Sequence, residues 1–134
     1  MENLLKNKGL KITKARLEVL KILKKAKNPM PVEDIYLKMT KGSCKSLATC
    51  YRVANQLTEV GILNKTLLQN GIYYFEMSGE NHKHYIVCSN CGKIVPTNHC
   101  PLEEFESEVE GTTGFKVTGH KIELIGICPE CQKN

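Results

Sequence analysis

The hydrophobic positions of the first 60 residues recur at the spacing of amphipathic helices. The first predicted helix begins after Thr13, which suits an N-cap, and runs to about Ala26. A second, shorter helix follows Pro31, and a third runs from Ser46 until Gly61 stops it. Their apolar stripes are Leu17, Val19, Leu20 and Leu23; Val32, Ile35 and Met39; and Leu47, Cys50, Ala54 and Leu57. The pattern therefore predicts three short helices in a row.

After these helices the period changes to that of strands. Two apolar runs, 62–68 and 72–75, flank the dipeptide Asn70-Gly71. That dipeptide favours a hairpin turn of type I′, in which both central residues need positive φ. Three helices followed by a hairpin are typical of a winged helix-turn-helix, whose third helix lies in the major groove of DNA.

The second half of the chain predicts a smaller mixture of strands and a helix. Strands are expected at about 85–87 and 93–96, and a helix begins at Pro101 and ends at Gly111. The apolar stripe of this helix is Leu102, Phe105 and Val109. The last predicted strand spans 115–127 and would place His120, Ile122 and Leu124 on one face.

These elements place the chain in the α+β class, with a winged helix-turn-helix followed by an α/β unit. The predicted boundaries are 1–77 for the DNA-binding domain, 78–82 for a polar hinge and 83–134 for the second domain. Of the 134 residues, 41% are hydrophobic and 25% charged, as in globular proteins. No apolar run approaches the roughly 18 residues of a membrane span, and the N-terminus lacks the apolar core of a signal peptide. We therefore expect a cytoplasmic protein without a membrane partner.

The net charge of +5 is divided unequally along the chain. Residues 1–75 carry 14 Lys and Arg against 5 Asp and Glu, a net of +9, whereas residues 76–134 carry 5 against 9, a net of −4. A basic half is the electrostatic signature of a surface that meets phosphates. A generic solvated lysine surface is the alternative.

Polar side chains near the start of the third helix are the candidates for contacting DNA. Base and phosphate contacts are expected from Ser46, Thr49, Tyr51 and Arg52, and backbone contacts from Lys14, Arg16 and Lys65. The alternative is that Tyr51 packs in the core and that Arg52 is merely solvated. The charge asymmetry favours the DNA-binding interpretation.

Four cysteines are paired in two Cys-x-x-Cys knuckles. They are Cys88 with Cys91, and Cys128 with Cys131. Two such knuckles supply four thiolates at the geometry of tetrahedral Zn²⁺, and a filled site of this kind has a structural role. It would tie the last strand to the first strand of the second domain. A redox pair, or two unrelated knuckles, is the alternative.

Histidines and carboxylates near these knuckles indicate a second metal site. His82 and His84 are two residues apart, and Glu103 and His120 could complete a site for Zn²⁺, Fe²⁺ or Mn²⁺. Weaker candidate ligands are Cys100, Glu76 and His99. The two remaining cysteines, Cys44 and Cys50, are expected to be buried or incidental thiols.

The sequence resembles the ferric uptake regulator superfamily across nearly the whole chain. Cys100-Pro-Leu and the Gly-His-Lys before the last strand look most like zinc uptake regulators and related members of the superfamily. The matching stretches are 10–17, 32–36, 46–52, Tyr74-Phe75-Glu76, His82-Lys-His84, Cys88-x-x-Cys91-Gly-Lys93, Gly119-His120 and Cys128-x-x-Cys131. The resemblance implies a dimeric, metal-sensing transcription factor, with the second domain used for dimerisation.

The resemblance also implies roles for individual residues. The four knuckle cysteines match the family's structural zinc site, and His82, His84, Glu103 and His120 match a four-ligand site next to the dimerisation domain, with His84 where the family usually has Asp. Of the family's hinge sensor site only Glu76 is matched. Its other positions hold Pro29, Lys83, Tyr85 and Pro96, which argues against peroxide sensing.

The predicted function is that of a metal-dependent DNA-binding regulator, a repressor of genes of metal uptake or homeostasis. It would act as a homodimer on a palindromic operator in double-stranded DNA, with metal binding setting the dimer for the operator. A constitutive DNA-binding protein with structural zinc only is the alternative. An enzyme is not expected, because a zinc deaminase needs His-x-Glu and Pro-Cys-x-x-Cys, and a thiol oxidoreductase needs a thioredoxin-like setting.

Overall fold

The described residues of the first unit form four helices and a hairpin. The computed structural model describes residues 1–68, 70–79, 84–97 and 100–133, and the chain divides into two compact units, Met1–Gly79 and Glu80–Asn134. The elements of the first unit are α1 (Glu2–Asn7), α2 (Lys14–Lys25), α3 (Val32–Lys38), α4 (Leu47–Glu59), β1 (Leu63–Leu67) and β2 (Tyr73–Met77). The predicted order of three helices and a hairpin is confirmed, while the domain limits 1–77, 78–82 and 83–134 stay a prediction.

Side-chain caps begin the two long helices of this unit. The Thr13 Oγ1 accepts a hydrogen bond from the Arg16 N–H at 3.2 Å, and the Ser46 Oγ accepts one from the Thr49 N–H at 3.2 Å. Each cap satisfies an N–H group that the first helical turn leaves without a partner. Both predicted helix starts are confirmed. Helix α1 was not predicted, because it buries only Leu5 and so shows no apolar stripe.

The core of the first unit lies between the helices and the hairpin. Fully buried side chains come from all six elements of the unit: Leu5 of α1, Leu20 of α2, Ile35 of α3, Leu57 of α4, Leu63 of β1 and Phe75 of β2. Met30 and Phe75 exchange two backbone hydrogen bonds, of 2.9 and 2.8 Å, which attach the chain before α3 to the hairpin. Full burial of one such side chain stabilises the fold by roughly 1.5–3 kcal/mol. This unit therefore has a core of its own.

The turn of the hairpin differs from the type I′ prediction. The Leu68 N–H donates to the Ile72 carbonyl at 3.1 Å, and the Gly71 N–H donates to the Leu68 carbonyl at 2.9 Å. Gly71 has a φ of 80°, but no residue other than glycine has positive φ in the described chain, so Asn70 does not adopt the conformation that type I′ needs. The turn is a longer loop closed by a left-handed glycine.

A three-stranded sheet with the order β4-β3-β5 forms the centre of the second unit. Its elements are β3 (Tyr85–Cys88), β4 (Ile94–Pro96), α5 (Glu103–Thr113), β5 (Glu123–Gly126) and α6 (Pro129–Gln132). Strand β3 pairs antiparallel with β4 and parallel with β5, and Cys88 lies opposite Gly126. Because parallel strands end at the same edge of a sheet, both cysteine knuckles follow at one edge.

The predicted limits of α5 and of the last strand are wrong. The helix begins at Glu103, after the N-cap Leu102, rather than at Pro101. Helix α5 continues through Gly111 and ends at Gly114, whose left-handed φ of 76° turns the chain away from the helix. The last strand covers only Glu123–Gly126, because its partner β3 is itself four residues long. His120 therefore precedes the strand rather than lying on it.

Apolar side chains stay exposed on the second unit. Helix α5 buries none of its residues, and Phe105 keeps 58% of its surface exposed. Leu124 and Ile125 of β5 are exposed as well. Apolar surface of this extent on a small unit indicates contact with another protein surface.

None of the helices in the described ranges is long and apolar enough to cross a membrane.

Candidate metal centres and nucleic-acid interface

Four thiols meet where β3 and β5 end. The ligand atoms of Cys88, Cys91, Cys128 and Cys131 all lie within 4.8 Å of one another. The Sγ atoms of Cys88 and Cys131 are 3.8 Å apart, and those of Cys91 and Cys128 are 3.7 Å apart. A tetrahedral Zn²⁺ with Zn–S bonds of about 2.3 Å requires sulfur separations of about 3.8 Å. The donor set and its spacing therefore fit structural zinc, and the two knuckles lie together as such a tie requires.

Backbone groups of the knuckles favour the thiolate form of Cys88. The N–H groups of Cys91 and Cys128 donate to the Cys88 Sγ at 3.5 and 3.4 Å. These hydrogen bonds, that of Cys91 foremost, lower the pKa of the Cys88 thiol to about 6. The knuckle is closed by Gly92, which has a φ of 80° and donates to the Cys88 carbonyl at 2.9 Å. Since metals bind the thiolate, this backbone arrangement suits a metal ligand.

A second cluster brings together His84, Cys100 and His120. The His84 Nε2 lies 3.2 Å from the Cys100 Sγ and 3.0 Å from the His120 Nε2, and the Cys100 Sγ lies 3.2 Å from the His120 Nε2. His84 is buried, and its carbonyl accepts hydrogen bonds from the N–H and the hydroxyl of Thr97, which fix its position beside β4. Three donor atoms thus converge on one point.

Glu106 supports this cluster from α5. Its carboxylate contacts the Nδ1 of His120, the ring nitrogen that does not face the cluster. A carboxylate that accepts from one imidazole nitrogen holds the ring and directs the other nitrogen towards a metal. No sequence signal distinguishes Glu106 from its neighbours, because Glu103, Glu104 and Glu106 all lie in the first turns of α5.

The other predicted ligands fall in different places. Glu103 is exposed and is not among the residues that the described structure brings into either cluster, whereas Cys100, a weaker candidate by sequence, is. Glu76 lies on β2 in the first unit. His82 and His99 lie outside the described residues. The ligand roles themselves stay predictions.

The start of α4 presents the polar side chains that were predicted to contact DNA. Ser46 and Arg52 are exposed and Thr49 is half-buried, with the Ser46 and Thr49 hydroxyls 3.2 Å apart at the cap. Lys14 is exposed at the start of α2. Exposed hydroxyl and guanidinium groups at a helix N-terminus are suited to phosphate and base contacts. These side chains are available for the predicted role.

Three of the predicted DNA-binding residues also hold the unit together. The Arg16 guanidinium donates to the Lys11 carbonyl at 2.7 Å and to the Gln56 Oε1 at 3.0 Å. The Tyr51 hydroxyl donates to the Glu33 carboxylate at 2.6 Å, while its ring packs partly against the core. Lys65 donates to the Asn55 side chain at 3.1 Å and stacks over the Tyr73 ring at 4.3 Å. These contacts connect α2, α3 and the hairpin to α4, which fixes the orientation of the candidate recognition helix. The sequence did not indicate these contacts.

Together, the winged helix-turn-helix and the clustered thiol and imidazole groups define a class of protein: a DNA-binding regulator with metal sites. The sequence profile of the ferric uptake regulator family matches residues 7–125. The chain therefore belongs to the ferric uptake regulator family, and it is a metal-dependent DNA-binding transcription regulator.

Individual relatives agree with this assignment. The chain is 34% identical over 131 residues to the ferric uptake regulation protein of Bordetella parapertussis, covering 96% of this chain and 94% of that protein. The ferric uptake regulator of Vibrio cholerae has a similar structure, with a TM-score of 0.83 and 31% identity over 95% of this chain and 98% of that one. That of Helicobacter pylori, described as having three functional metal binding sites, gives a TM-score of 0.85 at 25% identity, covering 99% and 89%. The predicted family and fold are confirmed, while the finer likeness to zinc uptake regulators stays a prediction.

Proposed function

We propose that this protein represses genes of metal uptake or homeostasis by binding a palindromic operator as a homodimer when a divalent metal occupies its second cluster. The observation that carries the proposal is the pairing of two chemically different donor clusters in one small unit. Four thiolates suit a permanent structural zinc. A mixed imidazole and thiol cluster supported by a carboxylate suits a metal that binds and leaves.

The regulatory role is assigned to the cluster of His84, Cys100 and His120. These residues come from three separate segments, before β3, before α5 and before β5. A metal bound by all three side chains at once would link these three segments. A divalent cation would bind the nitrogen and sulfur donors that converge there. His84 also follows the predicted hinge at 78–82 closely along the chain, so a metal bound there lies near the DNA-binding unit in sequence.

Homodimerisation is supported by the apolar surface of the second unit. Phe105, Leu124 and Ile125 are exposed and lie on α5 and β5. A second copy of the chain would cover part of this apolar surface and would bring two winged helices into one complex. Two identical DNA-binding units related by a two-fold axis recognise a palindromic DNA sequence.

A role as a constitutive DNA-binding protein is the competing function. It requires that the first unit alone determines the affinity for DNA, and that unit has its own core and both of its helix caps. The two functions differ in one measurable property, the dependence of DNA affinity on a metal other than the structural zinc.

The deciding experiment measures DNA binding by fluorescence anisotropy on a palindromic promoter probe at fixed salt. Protein that keeps one zinc per chain is titrated with Zn²⁺, Fe²⁺ under anaerobic conditions, and Mn²⁺ in turn. We expect at least tenfold tighter binding with one of these metals, and loss of this gain in His84→Ala. Lys121→Ala, which changes an exposed residue next to His120, is the matched control and should keep the gain. Equal affinity with and without added metal in the wild type would refute the regulatory role.

A further inference from the structure

We propose that Cys100 is the specificity-determining ligand of the second cluster, and that it makes this cluster select Zn²⁺ over Fe²⁺ and Mn²⁺, with Glu106 as the positioning residue of His120. The inference rests on the proposed function in that it concerns the same cluster. It adds the chemical class of the metal, which neither the fold nor the family relationship determines.

Cys100 faces two imidazole nitrogens rather than an apolar pocket. Its Sγ lies 3.2 Å from both the His84 Nε2 and the His120 Nε2, which are themselves 3.0 Å apart. The three atoms form a nearly equilateral triangle. The Nδ1 of His120 is turned to the Glu106 carboxylate, so the tautomer that donates from Nδ1 presents the lone pair of Nε2 to the cluster. Several lone pairs that converge on one point are best balanced by a cation.

The sulfur atom distinguishes among divalent metals. Thiolate and imidazole donors together favour Zn²⁺, whereas carboxylate and water oxygens suit Mn²⁺, and Fe²⁺ binds the same donors more weakly than Zn²⁺ does. A carboxylate at position 100 would make the donor set harder and would reduce this preference. The choice of metal therefore depends on one side chain.

Cys100 and Glu106 act from the same element. Cys100 lies three residues before α5, and the Glu106 N–H donates to the carbonyl of Leu102, the N-cap residue, at 2.8 Å. The ligand and the carboxylate that orients His120 are thus attached to one helix start. Because the Glu106 carboxylate holds the imidazole ring through Nδ1, its removal should weaken metal binding without removing a donor atom.

The inference is tested with Co²⁺ as a spectroscopic substitute for Zn²⁺. Full-length protein that keeps its structural zinc, verified as one zinc per chain, receives one equivalent of Co²⁺. We expect a sulfur-to-cobalt charge-transfer band in the near ultraviolet, and its loss in both Cys100→Ser and Cys100→Asp. The retained structural zinc shows that these variants are folded. No band in the wild type, or a band that persists in both variants, would overturn the assignment.

Competition between metals tests selectivity independently of DNA. Wild-type protein should prefer Zn²⁺ to Fe²⁺ and Mn²⁺, and Cys100→Asp should reduce this preference at least tenfold. Glu106→Gln should keep the cobalt band and weaken binding by roughly 10–100-fold. The exposed Glu104→Gln on the same helix is its control and should leave binding unchanged. Unchanged selectivity in Cys100→Asp would overturn the role of the thiolate.

Parallel DNA-binding measurements separate this inference from the proposed function. A cobalt band and zinc preference together with metal-independent DNA binding would support the ligand assignment and contradict the regulatory role. Metal-dependent DNA binding in a wild type without the sulfur-to-cobalt band would support the regulatory role and contradict the assignment of Cys100 as a ligand.

Discussion

Removal of the structural zinc is expected to unfold the second unit and to leave the first unit intact. The described residues of the second unit bury few apolar side chains, chiefly Tyr85, Val87 and Ile94, and α5 contributes none. The two knuckles connect positions 91 and 128, which the chain separates by 36 residues. The unit therefore depends on its thiol cluster for a long-range connection.

The magnitudes favour this outcome. Full burial of three such side chains contributes roughly 5–9 kcal/mol in total, at about 1.5–3 kcal/mol each. Structural zinc in small zinc modules contributes about 10–16 kcal/mol of apparent binding free energy. The first unit, in contrast, buries side chains from six elements, Phe75 of β2 among them. Loss of zinc should therefore remove the larger stabilising contribution, metal binding, from the second unit. It should leave the hydrophobic core of the first unit unchanged.

The assay is hydrogen exchange followed by mass spectrometry, with and without a zinc chelator, on the wild type and on Cys91→Ser. Peptides from β3 and β5 should lose their protection, while peptides from α2 and α4 keep theirs. Asn90→Ala, an exposed change inside the same knuckle, leaves all four thiols in place and should behave as the wild type. Unchanged protection of β3 in the zinc-free protein would refute the reasoning.

Four further predictions concern the first unit. Burial raises the pKa of the Cys50 thiol from its ordinary 9.0 to about 12, so Cys50 should resist a thiol reagent in the folded protein, and stability should fall as the pH rises from 9.0 towards 12, because the unfolded chain ionises first. The hydrogen bond from the Tyr51 hydroxyl to Glu33 raises the pKa of Tyr51, so Glu33→Gln should lower the pKa of Tyr51 in an ultraviolet titration. Phe75→Ala should destabilise the unit by about 3–5 kcal/mol in urea unfolding. Arg52→Ala should weaken DNA binding and reduce its salt dependence, as phosphate contacts do.

Local signals made the first unit largely predictable. Thr13 and Ser46 act within three residues of themselves, so the sequence alone shows where α2 and α4 begin. The hairpin was predicted for the same reason, but its turn depends on which φ values Asn70 adopts in the loop, and that is set by the register of the two strands. Helix α1 could not be predicted from periodicity, since its contribution to the core is one leucine.

Of the two metal clusters, one was predictable from local sequence signals and the other depends on the tertiary fold. The thiol cluster was predictable because each Cys-x-x-Cys knuckle is local and the two knuckles match. The second cluster joins residues 84, 100 and 120 through the sheet and the start of α5, and no spacing rule connects them. Glu103 and Glu106 differ by less than one helical turn, so only the observed position of α5 decides which carboxylate reaches His120.

The distribution of buried side chains limits how a metal can control DNA binding. The first unit carries its own core, its helix caps and the contacts from Arg16, Tyr51 and Lys65 that fix α4, and none of these uses a residue of either metal cluster. Metal is therefore not required to fold the DNA-binding unit. Any effect of metal on DNA affinity must therefore act through the second unit, which holds both metal clusters. A metal-dependent change in the affinity of a single half-site for the isolated first unit would contradict this view.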